Sequence, residues 1–130
     1  MRVSLILTAL LAAVLAVGVS TTAAGAQDSG TAVSPAQTFD LNFGEFYFAP
    51  NVLTARPGTI TVNLTNLGPE RVHSLSVQDA DGNDIVIGDR VDPGDSGMVQ
   101  FSLPEGTYRF YCPIGSHAER GEVGTLIIAA

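Results

Sequence analysis

From Thr38 to the C terminus, the chain consists of short apolar runs that turn residues interrupt. Val, Ile, Leu, Phe, Tyr and Thr dominate the runs, Gly, Pro, Asn and Asp separate them, and no sustained helical period occurs. Two turns are marked by the pairs Pro57-Gly58 and Pro93-Gly94. This pattern predicts an all-β fold, a sandwich or barrel, because a helix needs apolar residues three and four positions apart over longer stretches.

Three of the predicted strands can be phased by their alternation of apolar and polar residues. In 59–65, one face carries Ile60, Val62 and Leu64. The same period places His73 on the apolar face of a strand over 72–77, and Cys112 on the apolar face of a strand over 106–112. The other predicted strands cover residues 39–48, 52–55, 84–87, 98–103 and 123–129.

The N-terminal region has the organisation of an export signal. Arg2 precedes an apolar run over residues 3–19, and Ala24-Gly25-Ala26 provides the small residues that signal peptidase accepts. We therefore predict a signal peptide over 1–26, a flexible leader over 27–37 and one domain over 38–130, in a periplasmic or secreted protein. The alternative is an uncleaved membrane anchor, although the run is shorter than the about 20 residues that a span needs.

Charge limits the partners that the chain can have. It contains no lysine and carries a formal net charge of −7. Nucleic acids and anionic membrane surfaces repel such a protein, and no membrane span is expected once the signal is removed. We expect a monomer whose protein partners present a basic patch, although solubility alone would also explain the acidity.

The chain has a single cysteine, Cys112, and two histidines, His73 and His117. Exported proteins usually pair their thiols in disulfides, so an unpaired cysteine requires another role. A thiolate together with two imidazoles is the ligand set of a mononuclear copper site. Taken one at a time, the cysteine could be an inert buried thiol and His73 a hydrogen-bonded core residue.

Several segments, in order, resemble the cupredoxins, the blue copper family that includes plastocyanin and sulfocyanin. The segment 72–77 (VHSLSV) resembles the strand of the first histidine, and 103–112 (LPEGTYRFYC) the strand that ends in the copper cysteine. The segment 117–126 (HAERGEVGTL) is similar to the sulfocyanin closing loop. The resemblance extends from about Thr38 to Ala130.

This resemblance implies a Greek-key β-sandwich of about seven or eight strands that holds one copper ion, Cu(I) or Cu(II). It implies that His73, Cys112 and His117 are the equatorial ligands, and that electrons pass through the exposed edge of His117. It also implies that the Val72 carbonyl lies near the open axial side.

Two further residues receive roles around the metal. Tyr111 matches a second electron entry point of the family, although an ordinary surface tyrosine would fit the strand equally well. Ser74 is expected to hydrogen-bond across to the cysteine strand and so to orient the ligands. A plain polar strand residue is the alternative for Ser74.

The sequence departs from the family at the axial position, where Glu122 replaces the usual methionine. A carboxylate ligand favours Cu(II) over Cu(I), so it should lower the reduction potential and make the site depend on pH. The alternative is that Glu122 turns to solvent. Met98 lies in another strand and is no natural substitute.

We therefore predict an exported copper protein that carries single electrons between redox partners and is not an enzyme. Two alternatives remain open at this point. One is a module that binds or stores copper, and the other is a copper site that reacts with a small molecule.

Overall fold

The computed structural model describes residues 34–130, which form two β-sheets packed face to face. The predicted all-β sandwich is confirmed, and it is an open sandwich rather than a closed barrel. The signal peptide over 1–26 and most of the leader lie outside the described residues. Within 34–130, no helix has the length and hydropathy that a membrane span requires.

Nine strands are present in the described part of the chain, one or two more than expected. Their bounds are β1 (Gln37–Gly44), β2 (Tyr47–Ala49), β3 (Val52–Ala55), β4 (Thr59–Asn66), β5 (Ser76–Gln78), β6 (Asp84–Ile87), β7 (Ser96–Ser102), β8 (Gly106–Tyr111) and β9 (Val123–Ile128). The first sheet has the order β2-β1-β4-β7, and the second has the order β3-β9-β8-β5-β6.

The core lies between the sheets and follows the predicted alternation. On β4, Ile60, Val62 and Leu64 are at most 1% exposed, whereas the residues between them are partly exposed. Phe43 on β1 and Phe110 on β8 are also fully buried and bring aromatic rings into the same core. Each such side chain stabilises the fold by roughly 1.5–3 kcal/mol through burial.

Two predicted strands differ substantially from the observed ones, and the others agree within two residues at each end. The run over 39–48 is divided into β1 and β2, because the chain reverses at Glu45 and Phe46 and Gly44 then pairs with Tyr47. The alternation of Phe39, Leu41 and Phe43 with polar residues stops at Gly44-Glu45, and the prediction of one continuous strand passed over this break. The predicted strand over 72–77 is also shorter than expected.

Only β5, over Ser76–Gln78, remains of that strand. The residues before it leave the sheet, and His73 forms an isolated antiparallel bridge with Val91. The bridge consists of two backbone hydrogen bonds, of 3.1 Å from the His73 N–H and 2.8 Å from the Val91 N–H. The backbone of His73 is therefore fixed, although no regular strand surrounds it.

Candidate metal centre

The loop that connects β8 to β9 carries three of the predicted ligands. Cys112 directly follows β8, Glu122 directly precedes β9, and the two strands are antiparallel neighbours. The Cys112 N–H donates to the Glu122 carbonyl at 3.1 Å, so both loop ends are joined. Inside the loop, the Glu122 N–H donates to the His117 carbonyl at 3.2 Å, and the His117 N–H to Ile114 at 3.1 Å. These bonds hold the three side chains on one side of the loop.

The structure brings His73 to the same point from the segment before β5. One ligand atom from each of His73, Cys112, His117 and Glu122 lies within 4.8 Å of the other three. The Nδ1 atom of His73 is 2.7 and 2.8 Å from the two carboxylate oxygens of Glu122. The Nδ1 atom of His117 is 3.5 Å from the Cys112 sulfur and 3.4 Å from Glu122 Oε2. The alternative in which Glu122 turns to solvent does not occur.

Burial of this cluster leaves polar atoms without partners. His73 and Glu122 are 0% exposed, Cys112 1% and His117 7%. Within the described residues, Glu122 Oε1 makes no hydrogen bond of acceptable geometry, although His73 Nδ1 is 2.7 Å away, and His73 Nε2, on the side of Glu45, is also unpaired. An unpaired buried polar atom costs about 1–3 kcal/mol, so such a group needs a reason, and for Glu122 Oε1 an ion among the four donors is one.

Burial shifts the protonation of every member of the cluster toward its neutral form. It raises the pKa of the Cys112 thiol to about 11, although the backbone N–H groups of Ile114 and Ser74 oppose this. It also raises the pKa of Glu122 to about 8, which the contact with the thiol opposes. Without a cation, the cluster therefore keeps a thiol and a carboxylic acid at pH 7.

The two imidazoles are neutral as well. Burial and the neighbouring His117 lower the pKa of His73. Burial and the guanidinium groups of Arg71 and Arg120 lower the pKa of His117. Neutral imidazoles are the form that binds a metal ion, so neither histidine has to lose a proton first.

The comparison with protein families gives a match over most of the chain. Residues 8–127 match the family model described as a cupredoxin-like domain. The chain belongs to this family. No curated protein matches it.

Several solved structures share the fold of this chain. Dithionite-reduced auracyanin from Roseiflexus castenholzii shares 22% identity and a TM-score of 0.66, over 75% of this chain and 100% of that one. The purple cupredoxin of Nitrosopumilus maritimus shares 21% identity and a TM-score of 0.51, over 69% and 98%. A blue copper oxidase from Nitrosomonas europaea shares 21% identity and a TM-score of 0.58, over 72% of this chain but 39% of that one. At these identities, the likeness establishes the fold.

The donor set of this cupredoxin fits a single copper ion. The four residues offer one sulfur, two ring nitrogens and a carboxylate oxygen from a buried cluster, and the sulfur has no disulfide partner. Thiolate and imidazole ligands suit both copper and zinc, and membership of the cupredoxin family decides for copper. The prediction of one copper ion is confirmed.

The side chain of Ser74 does not make the expected bond. Its hydroxyl donates to the Gly88 carbonyl at 2.9 Å, in the segment that follows β6, and not to the cysteine strand. The cause is that the chain leaves the sheet before β5, which brings residue 88 beside Ser74. The backbone N–H of Ser74, rather than its hydroxyl, faces the Cys112 sulfur.

The other two residues with predicted roles lie on either side of the cluster. Val72 is half-buried and lines a cavity of about 240 Å³ beside His117. Tyr111 projects from the opposite face of β8, where its hydroxyl donates to the Asp84 carboxylate at 2.8 Å. The guanidinium carbon of Arg109 lies 4.7 Å from the centre of the Tyr111 ring. Burial and the Asp84 carboxylate raise the pKa of Tyr111.

Sequence reasoning missed Glu45, which lies beside the first histidine. Its Oε1 atom is 3.7 Å from His73 Nε2 and accepts hydrogen bonds from the N–H groups of Arg71, at 2.9 Å, and Glu70, at 3.3 Å. Although partial burial opposes the effect, these backbone donors lower the pKa of Glu45. Gly68 leaves room for the carboxylate, since a Cβ atom there would lie 2.7 Å from its oxygens. The signal in the sequence was that Glu45 follows Gly44, where the alternation of the run over 39–48 stops.

Phe46 was missed as well, because its place in the run over 39–48 suggested a core residue. Its ring lies 4.8 Å from the ring of His117 and 6.3 Å from that of His73. The guanidinium carbons of Arg120 and Arg71 lie 4.8 and 5.9 Å from its centre. Phe46 therefore covers the two imidazoles at the end of the sandwich.

Proposed function

We propose that this cupredoxin is an exported one-electron carrier between redox partners. The observation that carries the proposal is the geometry of the cluster, in which a compact set of four buried donors has one member near the surface. That member is His117, at 7% exposure, whereas the other three are at most 1% exposed. A partner can therefore approach one ligand while the others stay dry.

The residues that would hold the ion are His73, Cys112, His117 and Glu122. Copper bound there would supply a one-electron couple between Cu(I) and Cu(II). The contribution of the protein is a cage whose backbone is held by the hydrogen bonds of the loop between β8 and β9 and by the bridge at His73. Ligands that cannot move far keep the reorganisation between two oxidation states small. Such rigidity favours electron transfer over catalysis.

Tyr111 supports a second route for electrons. It is the neighbour of Cys112 in sequence but faces the outer side of the sheet, where it is half-buried. Its hydroxyl is fixed by Asp84 and its ring by Arg109. A partner bound on this side would contact Tyr111, the residue that directly precedes Cys112 in the sequence.

The remaining parts of the proposal rest on the sequence. The segment over 1–26 would direct the chain out of the cytoplasm, into the periplasm or the medium. We propose a monomer that meets its partners briefly, through small interfaces. The net charge of −7 would favour partners with a basic patch.

The test is to add Cu(II) to the metal-free protein and to a Cys112→Ser variant. We expect an intense visible absorption band from thiolate ligation in the wild type and none in the variant, with one copper ion bound per chain. Electron self-exchange of the loaded protein should then be fast. A wild type that shows no such band would refute the proposal, and very slow self-exchange would favour a storage module.

One observation favours a second function, a copper site that reacts with a small molecule. The cavity of about 240 Å³ beside His117 is large enough for a diatomic or triatomic ligand. Its lining includes Arg71 and Val72. The similarity to a blue copper oxidase agrees with this alternative. A change in the visible spectrum on addition of nitric oxide or peroxide would support it, and an unchanged spectrum would exclude it.

A further inference from the structure

The surface around His117 carries positive charge in an otherwise acidic protein. Arg71 and Arg120 are exposed, and both guanidinium groups lie over the ring of Phe46, which packs on His117. Among residues 34–130, no carboxylate lies within 4.0 Å of either guanidinium. The two charges are therefore positioned by the aromatic ring and are not neutralised by an ion pair.

His117 adds a third hydrogen-bond donor to this surface. Its Nδ1 atom faces the cluster, 3.5 Å from the Cys112 sulfur, so its Nε2 atom lies on the far side of the ring. Nδ1 would be the atom that holds a metal ion, and Nε2 would then carry the ring proton and donate outward. No group of the described residues accepts that hydrogen bond. The side chains of Arg71, Arg120 and His117 thus present hydrogen-bond donors at this surface that no described residue accepts.

Three acids lie near this arrangement, and one of them, Glu70, lines the cavity beside His117 together with Arg71. Glu45 is turned inward, where its carboxylate accepts two backbone N–H groups and approaches His73. Glu70 and Glu119 are the sequence neighbours of Arg71 and Arg120, and both are exposed. The charges that act on His117 include both guanidiniums and, among the carboxylates, Glu45.

We propose that the surface formed by Phe46, Arg71, His117 and Arg120 docks a protein partner that presents an acidic patch around its own redox centre. The inference rests on the proposed function and names the kind of partner. The net charge of −7 points to a basic partner instead. However, salt screens charges beyond about 8 Å at physiological ionic strength, so the charges at the contact decide.

Two redox-inert trivalent complexes test the sign of this surface on the metal-free protein. Hexacyanochromate(III) is an anion and hexaamminechromium(III) a cation, and each broadens the NMR signals of nearby amides. We expect the anion to broaden the amides of Phe46, Ile114 and His117, and the cation to broaden those of the hairpin over 79–84. The reverse pattern at His117 would overturn the proposal and support a basic partner.

Charge-matched variants locate the effect. The double variant Arg71→Gln, Arg120→Gln should reduce the broadening by the anion at His117 several-fold. The double variant Arg56→Gln, Arg109→Gln removes the same charge elsewhere and should leave it unchanged. Equal broadening in both double variants would overturn the proposal. Because this measurement uses no copper, its failure is distinct from a failure of the proposed function.

The copper-loaded protein provides a second measurement. Oxidation of the reduced protein by ferricyanide takes one electron from the site and gives ferrocyanide. We expect the ratio of this rate to the rate with tris(phenanthroline)cobalt(III), a cation, to fall several-fold in the Arg71→Gln, Arg120→Gln variant. A ratio equal to that of the wild type would overturn the proposal.

Discussion

The carboxylate of Glu45 approaches the ring of His73 from the side opposite to the ligand cluster. Its Oε1 atom is 3.7 Å from His73 Nε2, while His73 Nδ1 faces Glu122 at 2.7 Å. One imidazole thus lies between two carboxylates, with one ring nitrogen toward each. At 3.7 Å the Glu45 contact is electrostatic rather than a hydrogen bond, and it favours the ring orientation in which the Nε2 proton points toward Glu45.

Glu45→Gln is therefore expected to weaken copper binding several-fold, up to about the tenfold that loss of a hydrogen-bonded partner of a ligand histidine costs. It should also raise the reduction potential, because a negative charge near the site favours Cu(II) over Cu(I). Competition with a chelator and a redox titration measure the two effects. Glu70→Gln is the control, since it removes an equal charge from an exposed neighbour. Equal results for both variants would contradict the prediction.

Copper binding should release protons in a number that reports whether Glu122 is a ligand. The pKa of Cys112 is raised to about 11 and that of Glu122 to about 8, so both groups hold a proton at pH 7. The pKa values of both histidines are lowered, so these contribute none. We expect about two protons per Cu(II) in the wild type and about one in Glu122→Gln.

Calorimetry in buffers of different ionisation enthalpy counts these protons. The sign follows from the raised pKa of Glu122. Release from this group should be nearly complete at pH 6 and should disappear as the pH rises through about 8. Glu119→Gln, in the same loop but exposed, should behave as the wild type. One proton in both the wild type and Glu122→Gln would show that the carboxylate does not bind.

Phe46→Ala should open the site to water. The ring lies 4.8 Å from His117 and covers it, so its loss exposes the imidazole that is nearest the surface. We expect a soluble chelator to remove copper several-fold faster, with a loss of stability of about 1–2 kcal/mol from the lost apolar burial. Tyr47→Ala is the matched control, because Tyr47 is already 41% exposed. Equal rates of copper loss in the two variants would refute the role of Phe46.

Gly124→Ala should prevent the cysteine strand from closing on β9. A Cβ atom at this position would lie 2.6 Å from the Asn51 carbonyl oxygen and would overlap the Phe110 ring. Because backbone cannot yield as a flexible side chain does, we expect a loss of about 3 kcal/mol or more in unfolding free energy. Gly82→Ala, in open space with a φ of +83°, should cost only about 1 kcal/mol. Urea denaturation measures both, and a small loss for Gly124→Ala would contradict the packing.

Alternation along single strands was enough to predict much of this fold. It places Ile60, Val62 and Leu64 in the core, and β3 and β6 have the predicted bounds. The prediction failed over 39–48, because the break in the alternation at Gly44-Glu45 was not read as a turn. The reversal is set by the pairing of Gly44 with Tyr47, which is a contact between residues and not a property of either one.

The candidate site was predictable where rare residue types carry the signal. The chain has only one cysteine and two histidines, so these three stood out, and Glu122 followed from the family resemblance. Glu45 could not be found in the same way, since it is one of thirteen acids. Its importance comes from the pocket beside Gly68 and from the N–H groups of Glu70 and Arg71, which only the folded chain brings together.

The loop over 112–122 begins and ends at residues whose backbones are hydrogen-bonded to each other, and it holds three of the four donors. Because its two attachment points are adjacent, replacing this one segment would change three of the four donors together, Glu122 among them. The metal chemistry of the chain could thus be altered through one continuous stretch of sequence, with His73 left in place.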